Sequence, residues 1–87
     1  MAVKILIASP LRPYTDADEV EADGATLGEL LKDLDARYPG IRFRMIDEQD
    51  QVRRHMRIFI NGEPVKNLSH PIGASDEVSI VQALSGG

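Results

Sequence analysis

The chain ends in Ser85-Gly86-Gly87, three small residues whose types and position could support acyl chemistry. Two glycines lack Cβ atoms, so the diglycine can extend and thread a narrow channel in another protein, with Ser85 small enough to follow. The carboxylate of Gly87 is ionised at neutral pH and is a nucleophile toward the α-phosphate of ATP. The resulting acyl-adenylate is an electrophile that a sulfur or amine nucleophile can attack. A frayed glycine tail is the alternative interpretation.

Histidines, cysteines and glycine-rich loops, which carry much catalytic and metal chemistry, give no second candidate. His55 lies among arginines and His70 precedes Pro71, and neither has a companion at metal-ligand spacing. Both are therefore interpreted as exposed side chains. The lack of cysteine excludes a disulfide scaffold, a cysteine-ligated zinc site and a cysteine nucleophile. We expect no internal active site, no bound metal and no permanently bound cofactor.

Length, composition and charge limit the classes of protein to which this chain can belong. Its 87 residues correspond to one domain, residues 1–87, and 43% hydrophobic with 28% charged residues is typical of globular proteins. A net charge of −4, with most acidic residues between Asp16 and Asp50, argues against nucleic acid as a partner. No apolar run is long enough for a signal peptide or a membrane span, which predicts a cytoplasmic protein without a membrane partner.

Alternating apolar residues predict the strands of a sheet. The first strand is rich in β-branched residues and is ended by Pro10, and a weaker run with Val20 between glutamates is typical of an edge strand. Asn61-Gly62 is a strong hairpin signal because both residues tolerate positive φ, and Pro64 confines the returning strand to an edge. The predicted strands are Val3–Ala8, Ala17–Ala22, Met56–Ile60, Glu63–Val65 and Val78–Gln82.

One amphipathic helix is predicted between the second and third strands. Thr26 and Glu29 have the spacing of a capping box, in which each side chain accepts the backbone N–H of the other residue. An apolar stripe at helical spacing follows, and Pro39-Gly40 ends it. Residues 41–46 are predicted either as a short helix or as an irregular packed segment, and residues 47–52 as a loop. The stripe comprises Leu27, Leu30, Leu31, Leu34 and Tyr38.

These elements predict an α+β fold, in which one main helix covers one face of a mixed sheet of four to five strands. The first and last strands are the most apolar and are placed next to each other at the centre. Because nearly the whole chain separates them and no hairpin joins them, we expect them to pair in parallel. This arrangement is the β-grasp, or ubiquitin-like, fold. The last residues, about 84–87, would form a flexible tail.

The face of the predicted sheet opposite the helix is a candidate partner-binding surface. Phe59 is a large apolar side chain out of phase with its neighbours on the core face, and Leu6 and Val81 would lie beside it. Packing of Phe59 under the 41–52 connector is the alternative. The residues predicted on this face are Lys4, Leu6, Arg57, Phe59, Ser79 and Val81.

Two further features favour docking but also have plain structural interpretations. Leu84 lies between the last strand and the tail, and it is predicted to contact a partner or, alternatively, to be a last core residue. The cluster Arg53-Arg54-His55-Met56-Arg57 is interpreted as a partner-docking patch or as ordinary charge at the mouth of a strand.

Several of these features together resemble one protein family. The β-grasp order, the helix opening Thr26-Leu27-Gly28-Glu29-Leu30, the hairpin Ile60-Asn61-Gly62-Glu63 and the terminal Gly86-Gly87 are similar to the MoaD/ThiS family of ubiquitin-like sulfur carriers. The resemblance covers nearly the whole chain. The segment 11–15 and the connector after the main helix most resemble the CysO-type members, and the molybdopterin-synthase small subunits are somewhat similar.

The resemblance implies a carrier that is not itself an enzyme. A ubiquitin-activating-type adenylyltransferase would consume ATP to adenylate Gly87, and a sulfur donor would convert the adenylate to a thiocarboxylate. A sulfur-accepting biosynthetic enzyme, in a pathway to cysteine, molybdopterin or another sulfur-containing metabolite, would receive the sulfur. Two other functions fit the same residues: a ubiquitin-like modifier conjugated to lysines, and a plain β-grasp binding module in which the diglycine is accidental.

Overall fold

The computed structural model describes residues 2–82, and its elements follow the alternation of apolar residues closely. The predicted strand boundaries match the observed ones to within two residues. Within the described residues, no helix is long and apolar enough to cross a membrane. In chain order the elements are β1 (Val3–Ile7), a 3-10 helix (Ser9–Leu11), α1 (Arg12–Thr15), β2 (Glu19–Ala22), α2 (Leu27–Arg37), α3 (Ile41–Met45), β3 (Met56–Ile60), β4 (Glu63–Pro64) and β5 (Glu77–Gln82).

Within residues 2–82 the strands form one five-stranded mixed sheet in the order β2-β1-β5-β3-β4. β1 and β5 pair in parallel, with Ile5 opposite Val78, and each has an antiparallel neighbour on its other side. Parallel strands need a long crossover connection, and the segment containing α2 supplies it. The predicted β-grasp fold, with the first and last strands adjacent at the centre, is confirmed.

The core is one buried cluster that the inward sides of the strands and α2 share. The four leucines of the predicted stripe are fully buried, whereas Tyr38 follows the last helical residue and packs only partly on the core. Ile5, Ile58 and Ile80 of the three central strands belong to the same cluster. Full burial of one such side chain stabilises the folded state by about 1.5–3 kcal/mol relative to exposure.

The start of α2 is held by the predicted capping residues, with one difference. The Oγ1 atom of Thr26 accepts a hydrogen bond from the backbone N–H of Glu29 at 3.2 Å, as predicted. The Glu29 carboxylate accepts from the N–H of Ala25, at 3.1 Å, instead of the N–H of Thr26. The N–H groups of Leu27 and Gly28 donate to the carbonyl oxygens of His70 and Leu68. The first turn of α2 therefore fixes the long loop that precedes β5.

One short helical segment is not predicted by the sequence, and a second adopts one of the two predicted alternatives. The 9–15 segment, expected only as a break after β1, forms the 3-10 helix and α1. Pro10 and Pro13 lie in the first turns of these helices, where a missing N–H is tolerated and the fixed φ of proline favours helix. The 41–46 segment, left open between helix and irregular structure, forms α3, with Ile41 and Met45 buried one turn apart.

The Asn61-Gly62 turn is fixed to the start of β5 by side-chain hydrogen bonds. Both turn residues have positive φ, 52° and 86°, as the predicted hairpin requires. The Asn61 amide group donates to Asp76 at 2.8 Å and accepts from the N–H of Glu77 at 2.9 Å. The Asp76 carboxylate also accepts from the N–H of Gly73 at 2.8 Å. The bond from Gly73 above all, and then the one from Asn61, lower the pKa of Asp76 below its usual value of 3.8.

We expect Asp76→Asn to lower the melting temperature by a few degrees at neutral pH and by less as the pH falls. Because the folded-state pKa is lowered, the carboxylate contributes stability above the usual value of 3.8 and loses it as the pH falls through the lowered pKa. The asparagine variant lacks this titration, so its melting temperature should approach that of the parent chain below about pH 4.

Thermal unfolding followed by circular dichroism across the acidic range measures this difference. Ser75→Asn, at the neighbouring exposed position, is the control and should keep the pH profile of the parent chain. A difference between Asp76→Asn and the parent chain that stays constant with pH would contradict the role given to the Asp76 carboxylate.

Candidate functional site

One face of the sheet points away from the core and carries the residues that strand alternation predicts there. Ile58 and Ile60 point into the core, and Phe59 between them is half-buried on the opposite face. Leu6 of β1 is also half-buried, and Val81 of β5 is 37% exposed. We use the term open face for the residues Leu6, Arg57, Phe59, Ser79 and Val81.

The strand register brings the side chains of the open face together. Ser79 of β5 lies opposite Leu6 on one side and opposite Phe59 on the other, and Arg57 lies opposite Val81. Neighbouring strands are about 4.8 Å apart, so Leu6 and Phe59 are separated by about 10 Å with only a hydroxymethyl group between them. The result is a continuous, partly apolar strip across the three central strands.

The position of Phe59 excludes one of its two predicted roles, packing under the 41–52 connector or binding a partner. Ile41, Met45 and Ile46 of the 41–52 connector belong to the buried cluster, so the connector packs on the core side. Phe59 lies on the other side of β3 and is not among the partly buried side chains that pack against this cluster. Packing of Phe59 under the connector is therefore wrong, whereas partner binding by the open face stays a prediction.

Charged side chains lie at two edges of the open face: Lys4 is next to it, and Arg57 is its outermost member on β3. On the β2 side, Nζ of Lys4 lies 4.0 Å from the Glu19 carboxylate. On the β3 side, the guanidinium of Arg57 donates to the carbonyls of Arg54 and Met56 at 2.8 and 2.9 Å. These groups are exposed, and an exposed ion pair contributes less than about 1 kcal/mol to stability. The border can therefore change its contacts on binding at little cost to the fold.

The end of β5 connects the open face to the C-terminal segment. Gln82, the last residue that the structure describes, lies opposite Met56 at the start of β3. The last described residue thus lies on a central strand, next to Val81 of the open face. The predicted partner contact, threading residues and modified residue of the last segment lie outside the described residues; they are Leu84, Ser85, Gly86 and Gly87.

A basic pocket lies between α3 and the start of β3; the cluster predicted as a possible docking patch supplies Arg53 and His55 to it, whereas Phe43 and Arg44 were not expected there. Burial of Ile41 and Met45 turns Phe43 outward, where it is 56% exposed. The guanidinium carbon of Arg53 lies 4.5 Å from the centre of the Phe43 ring. One signal for this position of Phe43 is present in the sequence. If residues 41–45 form a helix, the four-residue spacing of Ile41 and Met45 places Phe43 on the opposite, exposed side. The basic pocket has a volume of about 360 Å³ and is lined by Phe43, Arg44, Arg53 and His55.

The prediction that both histidines are exposed is confirmed for His55, whereas His70 is half-buried. His55 lines the basic pocket, and His70 lies in the 68–70 loop, where its carbonyl accepts from the N–H of Leu27 at 2.9 Å. Across residues 2–82, no three His, Cys, Asp or Glu side chains are grouped so that they could hold a metal ion. Two surface features stand out among the described residues, the open face and the basic pocket.

Comparison with known proteins places this chain in a family. A family model described as the ThiS family matches residues 5–87, nearly the whole chain. The chain belongs to the ThiS family. One curated relative of this ThiS-family chain is the sulfur carrier protein CysO of Mycobacterium tuberculosis, which is 37% identical over an alignment covering all of both chains. Small archaeal modifier protein 3 of Haloferax volcanii is 35% identical over 68 residues, covering 75% of this chain and 73% of that protein.

Solved structures agree with the ThiS-family assignment. A chain in the crystal structure of the Amycolatopsis orientalis BexX/CysO complex matches with a TM-score of 0.90 and 32% identity, covering 99% of this chain and 100% of that one. The predicted resemblance to the MoaD/ThiS sulfur carriers is therefore confirmed, as is the ubiquitin-like fold.

We expect Phe59→Asp to leave the ThiS-family fold intact, whereas Ile58→Asp, one residue away on the core face, prevents folding at neutral pH. Phe59 is half-buried, so its replacement loses about 1 kcal/mol of burial free energy. Ile58 is 1% exposed, and an unpaired carboxylate there costs an amount comparable to a total stability of about 5–15 kcal/mol. Urea unfolding followed by circular dichroism measures both variants. Loss of structure in both would place Phe59 in the core.

Proposed function

We propose that this chain is a sulfur carrier that acts through the carboxylate of Gly87. The observation that carries the proposal is the end-to-end match, at 37% identity, with the sulfur carrier protein CysO of Mycobacterium tuberculosis. Because that match covers all of both chains, Gly86-Gly87 falls within the aligned region. Membership of the ThiS family over residues 5–87 supports the same role.

The proposed chemistry at Gly87 takes two steps. A carboxylate oxygen of Gly87 attacks the α-phosphate of ATP, forming an acyl–phosphate bond while the bond to pyrophosphate breaks. A sulfur nucleophile at the oxidation level of sulfide then attacks the carbonyl carbon, and the bond between this carbon and the AMP oxygen breaks. The products are pyrophosphate, AMP and a thiocarboxylate at Gly87. After the sulfur has been transferred, an oxygen from water replaces it and restores the carboxylate.

Catalysis in this scheme belongs to the partners. A ubiquitin-activating-type adenylyltransferase binds and consumes ATP, a sulfur donor supplies sulfur, and a sulfur-accepting biosynthetic enzyme in a pathway to cysteine or another sulfur-containing metabolite receives it. The carrier supplies the terminal carboxylate and the surface that its partners recognise. The BexX/CysO crystal structure contains a relative in complex with another protein, which supports docking of a second protein on this chain.

The open face is the proposed docking surface for these partners. Leu6, Phe59 and Val81 are apolar and partly exposed across three adjacent strands. Arg57 borders them, and aromatic and arginine side chains are enriched among the residues that carry most of the binding energy of interfaces. A partner seated on this face is next to the end of β5, from which the chain leads to Gly87.

The length of the C-terminal segment limits how far the Gly87 carboxylate can extend from the sheet. Residues 83–87 can span at most about 17 Å when extended. Within that span, Leu84 would contact the partner close to the sheet, and Ser85 and Gly86 would thread its channel. Their small side chains allow the carboxylate of Gly87 to enter an active site that a larger terminal residue would block.

Conjugation to lysine is the second candidate function. It is supported by 35% identity to small archaeal modifier protein 3 of Haloferax volcanii over 75% of this chain. The activated Gly87 is the same in both functions. A lysine amine, in place of sulfur, would attack the carbonyl carbon and release AMP, leaving an isopeptide bond and a proton. Covalent adducts of higher mass in the native cells would favour this second function.

Intact mass spectrometry with thioacid alkylation tests sulfur carriage directly. After incubation with ATP, a sulfur donor and native cell extract, we expect the chain to gain the mass difference between sulfur and oxygen and to be alkylated at Gly87. The chain without Gly87 should gain nothing and should keep its melting temperature, because a terminal glycine buries almost no surface. Gly73→Ala, where a Cβ has ordinary contacts, is the control and should gain the sulfur mass. An unchanged mass of the parent chain would favour the plain binding module.

Substitution at the open face tests the docking surface. We expect Phe59→Asp to reduce thiocarboxylate formation at least about tenfold at limiting carrier concentration, with a smaller loss at saturation, because about 1.4 kcal/mol of binding energy corresponds to a factor of ten. Ala36→Asp adds the same charge on the exposed side of α2 and is the matched control. Equal rates for the two variants at every concentration would exclude Phe59 from the interface.

A further inference from the structure

The arginines of this chain fall into two groups. Arg12, Arg37 and Arg42 each form ion pairs with aspartates at 2.9 to 3.1 Å. Within residues 2–82, the other arginines form no ion pair, although the chain has an acidic excess and a net charge of −4. This unpaired group consists of Arg44, Arg53, Arg54 and Arg57.

The basic pocket holds one of these guanidinium groups in a fixed position. Nε of Arg53 donates to the carbonyl of Phe43 at 2.7 Å, and the guanidinium lies over the Phe43 ring. The backbone N–H of Arg53 donates to the carbonyl of Met45 at 2.8 Å. The terminal nitrogens of Arg53 have no partner within the part of the chain that the structure describes. A cation that is already ordered loses less entropy when it binds a ligand.

The carboxylate of Asp47 does not neutralise the basic pocket. Its oxygen accepts from the backbone N–H groups of Gln49 and Gln51 at 2.8 and 3.0 Å. It forms no ion pair with Arg53 within residues 2–82. The hydrogen bonds from Gln51 and Gln49 lower its pKa most, and the positive charge of Arg53 makes a smaller contribution. Residues 2–82 therefore provide no anionic partner for Arg53 or Arg44.

The basic pocket is close to the last described residue of β5. His55 precedes Met56, and Met56 lies opposite Gln82, the last described residue of β5. Arg57, two residues further along, belongs to the open face. A protein that covers the open face and receives the C-terminal segment is therefore adjacent to the pocket as well.

We infer that the basic pocket binds an acidic segment of a partner protein, with carboxylates on Arg44 and Arg53 and an apolar side chain against Phe43. The inference rests on the proposed function only in identifying that partner as the protein that receives the C-terminal segment. Arginine and carboxylate form charge-assisted, often bidentate, hydrogen bonds. The exposed Phe43 ring adds an apolar contact beside these charges, and the volume of about 360 Å³ accommodates a few side chains.

The surroundings of the basic pocket favour a short acidic segment over other anions. A nucleic acid would extend well beyond the pocket and meet the acidic residues that give the chain its net charge of −4. A free phosphate would satisfy the arginines but would leave the Phe43 ring uncovered. A peptide that carries both carboxylates and an apolar side chain matches both features.

Titration of the ¹⁵N-labelled full-length chain with the blocked peptide Gly-Glu-Glu-Leu-Glu-Glu-Gly tests the inference by NMR. We expect shifts at the amides of the basic pocket, weaker binding as salt is added, and no shifts with the peptide in which glutamine replaces glutamate. Arg44→Gln should weaken binding at least about fivefold. Arg42→Gln, on the same helix but paired with Asp50, is the matched control and should change the affinity by less than about twofold.

Four outcomes would overturn the inference. Equal weakening by Arg44→Gln and Arg42→Gln, or no shifts at all, would show that the pocket makes no specific contact. Inorganic phosphate binding as tightly as the peptide would make it a small-anion site. Shifts at the same amides that grow with the concentration of the chain itself, in the absence of peptide, would identify a second copy of the chain as the occupant. The titration needs neither ATP nor a sulfur donor, so its result is independent of whether sulfur transfer is observed.

Discussion

The parallel pairing of the first and last strands is the constraint on which the rest of the structure depends. β1 and β5 lie side by side at the centre of the sheet, with Ile5, Ile7, Val78 and Ile80 buried. Parallel neighbours cannot be joined by a tight turn, so nearly the whole chain between them must form a crossover and add the outer strands. α2 packs into the core on one side of the sheet. The other face stays open, and the last strand ends beside it.

Side-chain alternation along the strands then separates stability from recognition. In β3, Ile58 is 1% exposed, while Phe59 is half-buried on the opposite face. A shift of one residue in register would exchange their positions. Such a shift is prevented because Ile58 pairs with Ile80 on one side, while Phe59 and Ile60 pair with β4 on the other. The open face can therefore carry apolar side chains without drawing them into the core.

The sequence predicts well those features that depend on residues close together in the chain. Strand alternation, the apolar stripe of α2 and the Asn61-Gly62 hairpin are all of this kind, and the structure agrees with them to within one or two residues. The short helices of segment 9–15 depend instead on packing of Leu11 into the core, which a pair of prolines does not reveal. The basic pocket is harder still, because Arg53 meets Phe43 only after backbone hydrogen bonds close the loop between α3 and β3.

The arrangement of charges follows the same separation between fold and recognition. Each arginine that pairs with an aspartate links two parts of the chain within the fold, as Arg37 at the end of α2 does with Asp23, which directly follows β2. The unpaired arginines link no acidic residue within the described structure, and Arg53 and Arg57 are held only through backbone carbonyls and the Phe43 ring. Clustered like charges repel one another, and this repulsion is relieved when an anion binds. A cluster beside the last described residue of β5 therefore favours an acidic partner there, which would add orientation to the largely apolar contact proposed for the open face.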